Sequence, residues 1–267
     1  MAETEPRVLC VMLTRDREAL AAKAFQCFMA QTYRNRRLFV LNTGEKDWLA
    51  QGMYGDVGVY GEHMPQPPGK SIGSLRNSAN DYGNQRCLDA DIIAHWDDDD
   101  WSHPNRLTEQ VALLQASGAD AVGYNEMLFW RAPRLTFEER GSTSRPGEAW
   151  LYSNPRPNYA LGTSLCYWRK TWERSPFTDG PKPEGISEYH HWFAVNNRIR
   201  VEAITSMGHP KCQARTGEYC SDPSPRMVAR IHGLNTGSYD IEEQIKSGSR
   251  EWERVPSWDA RVAEILK

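Results

Sequence analysis

Apolar residues in this chain fall into short unbroken runs, separated by longer stretches with a helical period. The run RVLCVML (Arg7 to Leu13) has strand length and no polar alternation, which predicts a strand buried on both faces. In TRDREALAAKAFQCFMAQTY, Leu20, Ala24, Cys27, Phe28 and Ala30 recur close to every three or four residues, which predicts an amphipathic helix. RRLFVLNTG is a second buried strand stopping at a turn signal, and VGVYGEH a short third one. GKSIGSLRNSANDYGNQRCL reads as a glycine-opened helix and ADIIAHW as another buried strand. HPNRLTEQVALLQASG reads as a helix with Pro104 near its start and Gly118 at its end.

Strands alternating with helices imply an α/β fold with a mixed, mainly parallel sheet flanked by helices, with ligands at the carboxyl ends of the strands. Beyond Ala119 the pattern changes. DAVGYNEMLFW reads as a strand, RAPRLTFEERGSTSRPGEAWLYSNPRPNYA as a long loop, and LGTSLCYWRKTWERSPF as a strand passing into a short helix. SEYHHWFAVNNR and the C-terminal YDIEEQIKSGSREWERVPSWDARVAEILK read as helical; the latter folds back or pairs with a second copy as a homodimer. No internal repeat or hinge-like linker divides the chain, so a single domain is expected.

The buried strand ADIIAHW runs directly into Asp97, Asp98, Asp99 and Asp100. Adjacent carboxylates repel, and aspartate suits neither helix nor strand interiors. Capping of the helix at Pro104 would account for one or two of them but hardly four. Several hard oxygen ligands within a few residues suit Mg²⁺ or Mn²⁺, which keep coordination sites open for phosphate oxygens and water. Calcium-loop spacing is absent.

Charge supports a local cation site. The chain carries 32 basic and 35 acidic residues, a net −3; without the four aspartates, 32 basic face 31 acidic residues. The surface is thus near neutral with one negative spot, not the basic face that bare DNA requires. Six cysteines without a CxxC pair read as reduced, mostly buried thiols; the cluster His209, Cys212 and Cys220 matches no common zinc finger. The N-terminus is acidic before its apolar run, the wrong order for a secretory signal, and no run approaches the roughly 20 apolar residues of a membrane span. A cytoplasmic location is expected.

The segment GSLRNSANDYGNQRCLDADIIAHWDDDDWSHPNRLTEQ resembles the nucleotide-sugar-binding half of family 2 glycosyltransferases, which have the GT-A (Rossmann-like) fold. In that family a glycine, an Arg-Asn pair and a helix precede a strand ending in an Asp-x-Asp motif. VLCVMLTRDREALAAKAFQCFMAQTYRNRRLFVLNTG resembles its opening strand, helix and second strand; together the two cover about the first 110 residues. The resemblance implies a donor-binding half over residues 1–118 and an acceptor-binding half with a C-terminal helical segment over 119–267. It implies a metal-dependent inverting enzyme that moves a sugar from a nucleotide-sugar donor, UDP-linked as first expectation, to an acceptor hydroxyl.

Carried over by position, Asp99 and Asp100 are expected at the Mn²⁺ or Mg²⁺ ion, with Asp97 and Asp98 in the donor site. Thr14 and Arg17 lie where the first strand meets the nucleotide, and Arg76 and Asn77 match the Arg-Asn pair near the ribose and diphosphate. Asn42 stands where relatives carry a uracil-reading aspartate, which leaves the base open. Glu188 in ISEYHHWF takes the place of the catalytic base, with Tyr189 replacing the family's second acid. RIHGLNTGSYD resembles an RHGxNT segment, which brings His232 to the metal or leaving diphosphate, with Asn235 and Thr236 ordering the loop. Trp96 reads as core; for Trp101, stacking on a sugar and packing on the next helix both stay open.

The acceptor is a saccharide, a lipid-linked sugar or a small molecule. A hydroxylated base of phage-type DNA is an alternative: Arg131, Arg134, Arg140, Arg145 and Arg156 are interleaved with Phe137, Trp150 and Tyr152, as in phosphate-contacting, base-stacking segments. A non-catalytic nucleotide- or sugar-binding protein on the same fold is the other alternative.

Overall fold

In the computed structural model the residues described are 5–49, 58–65, 71–87, 89–138, 141–178, 198–207, 224–231, 244 and 249–267; for 134–138 and 141–145 only the backbone is considered. The N-terminal part is a parallel βα unit: β1 (Val8–Thr14), α1 (Glu18–Met29), β2 (Arg36–Asn42), β3 (Val59–His63), α2 (Ile72–Arg86) and β4 (Ile92–His95). The four strands stand in the order β3-β2-β1-β4 and all pair in parallel. Beyond the acidic segment come β5 (Trp101–Ser102), α3 (Arg106–Ser117) and β6 (Ala121–Arg131).

The sheet continues through antiparallel pairings. β10 (Cys166–Trp168) bridges β4 to β6, and β6 carries β9 (Glu148–Ser153) and then β13 (Trp252–Arg254) along one edge. β11 (Val201–Thr205) and β12 (Met227–Ile231) pair in parallel with β6, and β12 also pairs with β5. The result is a mixed α/β sheet whose N-terminal strands are parallel, as expected.

Burial follows the alternation of the strands. On one face Val8, Cys10 and Met12 pack against Ala21, Ala24 and Phe28 of α1 and Leu107, Val111 and Leu114 of α3. On the other, Leu9, Val11, Phe39 and Leu41 meet Ala79 of α2 and Trp172 of α4 (Arg169–Arg174). Strands covered on both faces lose their polar positions, which is why RVLCVML and RRLFVLN carry continuous apolar runs. Arg36 is the exception at the edge: its guanidinium donates to the carbonyls of Phe28 and Met29 at 3.1 and 3.0 Å, closing the C-terminus of α1.

Three expectations change. α2 is opened by Ser71, whose hydroxyl accepts from Ser74 N at 3.1 Å, and not by a glycine. The stretch read as a long loop forms a hairpin, β7 (Arg134–Glu138) with β8 (Gly141–Arg145), followed by β9. Pro133 sits just before β7, and Pro146 and Gly147 sit between β8 and β9. Among its described residues the C-terminal segment contains β13 and a short helix, α5 (Asp259–Ile265), which does fold back: Lys23 Nζ reaches the Leu266 and Lys267 carbonyls at 3.2 Å.

Register sets the site. β1 and β2 run side by side to Thr14↔Asn42, while β4 leaves the sheet at His95, opposite Val11. Three further residues of chain bring Asp98 level with Thr14. The helix carrying Arg76 is seated by Gly83, where a Cβ would stand 2.9 Å from Leu9 Cδ2 and 3.2 Å from Phe39 Cβ. Gly83→Val should push α2 off the sheet and destabilise the protein by about 1–3 kcal/mol, the usual cost of overpacking. A thermal melt with an unchanged midpoint would show that the helix is not seated this closely.

Candidate functional site

The acidic segment hangs from β4 between α1, α2 and the 161–165 turn. Trp96 turns into the core, donating from Nε1 to Ala24 O at 2.9 Å and packing edge-on against Phe28 at 6.0 Å. It is the core residue the sequence implied. After it, the carboxylates point in different directions. Asp97 accepts from Arg76 Nη2. Asp98 is almost fully buried at 1% exposure, facing the Thr14 hydroxyl, with Arg17 Nη2 at 2.8 Å from its Oδ1. Asp99 Oδ2 takes the other arm of Arg17 at 3.0 Å. Asp100 accepts from the Thr163 hydroxyl and, at 3.4 Å, from Arg230 N.

One oxygen each from Asp97, Asp99 and Asp100 lies within 4.8 Å of the others. That is a donor set for a hard divalent cation such as Mg²⁺ or Mn²⁺. Asp98 is not part of this group; it is buried against Arg17. The aspartates do not cap α3, whose start at Asn105 has no side-chain cap.

The ends of β1 and β2 form a second wall. Thr43 N donates to Thr14 O at 2.9 Å, and Glu45 N to Asp16 Oδ1 at 2.9 Å, so the two turns are zipped together. Gly44 is required there because a Cβ would come within 2.4 Å of Asp16 Oδ1. Asn42 is fully buried; its Oδ1 accepts from Gly44 N at 3.0 Å and its Nδ2 donates to Lys46 O at 2.7 Å.

The sequence-expected residues thus divide. Thr14, Arg17, Arg76, Asp97, Asp98, Asp99 and Asp100 converge. Asn77 faces elsewhere: its Nδ2 donates to Phe177 O at 2.7 Å, and its Oδ1 accepts from Trp172 Nε1 and Phe177 N at 2.9 and 3.0 Å. It pins the segment after α4. Glu188, Tyr189, His232, Asn235, Thr236 and the His209–Cys212–Cys220 cluster lie outside the described residues. Thr163 and Arg230 were not singled out from sequence, although Arg230 opens the segment RIHGLNTGSYD that carried part of the family resemblance.

Trp101 is half-buried beside Val262 and Ile265 of the C-terminal segment, and its ring meets His103 edge-on at 6.0 Å. In the arginine-rich segment, Tyr152 is 2% exposed and hydrogen-bonded to Tyr159. Arg131 and Arg156 face Glu148 and Glu251 at 3.5 and 3.7 Å. These residues serve the second half of the core and its rim. Cys10, Cys27, Cys87 and Cys166 are free thiols. Among the described residues no helix is long and apolar enough to cross a membrane.

No protein-family model and no curated protein matches the chain. Solved structures do. S. aureus TarS 1-349 in complex with UDP aligns at 11% identity and TM-score 0.54, over 84% of this chain and 60% of that one. The same protein in complex with UDP-GlcNAc gives 10% identity and TM-score 0.57, over 90% and 64%. The mannosyltransferase PcManGT from Pyrobaculum calidifontis, in complex with GDP-Man and Mn²⁺, gives 13% identity and TM-score 0.53, over 99% and 70%. The chain therefore has the GT-A architecture, spanning about 60% of the length of the first of these chains.

Crowding leaves a titration signature. Burial, then the Asp99 charge, pushes Asp98 up from the ordinary 3.8 to about 7, against the pull of Arg17; burial and Asp99 also raise Asp100. The folded state then holds protons that the unfolded chain has released, so this site lowers stability as pH rises from about 4 to 7. A divalent cation competes with those protons and should stabilise more at pH 7.5 than at pH 5. Asp99→Asn removes the shared repulsion: its metal-free melting midpoint at pH 7.5 should rise by about 2–4 °C per kcal/mol relieved, and its pH slope should flatten. An unchanged slope would mean that the carboxylates are not coupled.

Proposed function

We propose that this protein is a metal-dependent glycosyltransferase that binds a nucleotide-sugar donor, UDP-linked as first choice, and transfers the sugar to an acceptor hydroxyl with inversion. The observation that carries the proposal is the convergence of Asp97, Asp99 and Asp100 within 4.8 Å at the carboxyl end of β4, beside the ends of β1 and β2. Arg76 adds an independent sign of an anionic ligand: it is 4% exposed, yet its Nε is buried without a partner.

Mn²⁺ or Mg²⁺ would be held by Asp97, Asp99 and Asp100. When bound, such an ion offsets the charge that develops on a leaving diphosphate. The chain's own residues do the rest. Arg17 and Arg76 supply guanidinium donors on two sides of the acidic segment, suited to phosphate oxygens. Thr14 and the zipped 42–46 turn border the nucleoside. The buried Asn42 amide closes this turn, and the base is read by the turn's backbone. Glu188 takes the acceptor proton for in-line attack, which inverts the anomeric centre. Arg230, two residues before His232 in sequence, donates from its backbone N to Asp100, which supports His232 as a further group for the metal or the leaving diphosphate. Residues 1–118 serve the donor and 119–267 the acceptor, a saccharide, lipid-linked sugar or small molecule.

UDP, GDP, CDP, dTDP and ADP, each with Mn²⁺ or with EDTA, should separate in a thermal-shift panel. One nucleotide should stabilise by about 2.7 kcal/mol at a hundredfold excess over its Kd, and only with metal. Asp99→Ala should abolish that shift; metal-independent binding in the variant would remove the aspartates from the donor site. Slow metal-dependent donor hydrolysis is expected without acceptor, and its absence would favour a binding protein without activity. Glu188→Gln should lower turnover by about 10²–10⁴-fold while nucleotide binding persists.

A further inference from the structure

The first residue of α3 is an arginine with no exposed surface. A buried cation carries a large desolvation cost and persists only where its donors and its charge are both answered. The Arg106 donors go to neutral oxygens. Nη2 donates to His95 O at 2.8 Å and Thr163 O at 3.2 Å, Nη1 to Ser102 Oγ at 2.9 Å, and Nε to Gln110 Oε1 at 3.2 Å. The guanidinium carbon lies over the Trp96 ring, 4.9 Å from its centroid.

These partners share one property. His95 ends β4 and Ser102 ends β5, so two arms of one guanidinium grip the chain immediately before and after the segment 96–101. Thr163 is the third point: its carbonyl accepts from Arg106, and its hydroxyl donates to Asp100 Oδ2. The turn that presents Thr163 is itself fixed. Ser164 Oγ accepts from Tyr124 N at 2.8 Å and donates to Leu161 O at 2.7 Å, while Gln110 Nε2 donates to Ser164 O at 2.7 Å.

We infer that Arg106 is the positioning residue of the acidic segment: its guanidinium clamps both ends and, through Thr163, sets the direction of Asp100. The positive charge behind Asp100 also opposes the negative field of the segment. Only a planar, multi-donor cation can do this. Lysine keeps the charge but offers a single point of contact, which cannot span four oxygens on three chain segments. The consequence for metal binding rests on the donor-site reading above; the clamp itself does not.

The test therefore starts on the metal-free full chain. Arg106→Lys, Thr163→Val and Ser102→Ala are compared with Leu114→Ala, a truncation of a fully buried core residue on the same helix. Amide hydrogen exchange in Arg106→Lys should accelerate at least tenfold more in 96–103, 162–165 and at Arg230 than elsewhere, after correction for global stability. Leu114→Ala should accelerate exchange without that localisation. Mn²⁺ affinity, followed by electron paramagnetic resonance, should fall by about 10–100-fold in Arg106→Lys and be unchanged in Leu114→Ala. Exchange that rises uniformly, as in the control, overturns the clamp. If Arg106→Lys does not fold, Ser102→Ala and Thr163→Val decide by the same local pattern. Wild-type protein that takes up no Mn²⁺ removes the donor-site proposal, and the exchange pattern alone then judges the clamp.

Discussion

Four consecutive carboxylates at the end of a buried strand must be held together against their own repulsion, and the surrounding elements are arranged around that requirement. Arginines from four different parts of the chain supply the compensation. Arg17 precedes α1 and bridges Asp98 and Asp99; Arg76 on α2 holds Asp97. Arg106 opens α3, and Arg230 on β12 reaches Asp100 through its backbone. An exposed ion pair contributes little, but these groups are largely buried, where charge interactions are far stronger. The segment therefore links the parallel half of the sheet to β12, more than 120 residues further along.

Much of this was legible in the sequence. The continuous apolar runs of β1, β2 and β4 betray strands covered on both faces, and the helix between Pro104 and Gly118 carries its own punctuation. Strand ends then locate Thr14, Asn42 and the aspartates. What the sequence withheld has physical causes. The β7–β8 hairpin lies in a stretch dominated by Pro, Arg and Gly, where no period stands out. Arg106, Thr163 and Arg230 act through partners 11, 63 and 130 residues away. No local pattern distinguishes a buried arginine with four oxygen partners from a solvated one at a helix start.

Two asparagines show the same limit from the other side. By position, Asn42 and Asn77 belong with the donor site. In the fold, both amides are spent on backbone groups, Asn42 on the turn it opens and Asn77 on the segment at Phe177. An amide supplies donor and acceptor together, so one residue can close a turn or pin a loop that would otherwise leave buried backbone groups unpaired. Asn77 holds Phe177, whose ring rests against His95 at 5.5 Å, at the strand end that launches the aspartates.

The four carboxylates are not equivalent, and their inequality gives the site its direction. Asp98 and Asp100 are turned into the protein, where Arg17, Thr14, Thr163 and the Arg230 amide hold them. Asp97 keeps 27% of its side chain exposed and Asp99 keeps 11%. A cation approaching from solvent thus meets Asp97 and Asp99 first, with Asp100 already fixed beneath. Arg17 occupies one Asp99 oxygen, so an incoming ion shares that carboxylate with a guanidinium from the 14–17 turn. Competition between the two cations lowers affinity for the bare ion. A diphosphate arriving with the ion would offer Arg17 a new anionic partner and relieve that competition. On the proposed donor-site reading, metal and nucleotide would bind better together than either alone, because each would remove the charge conflict that the other faces.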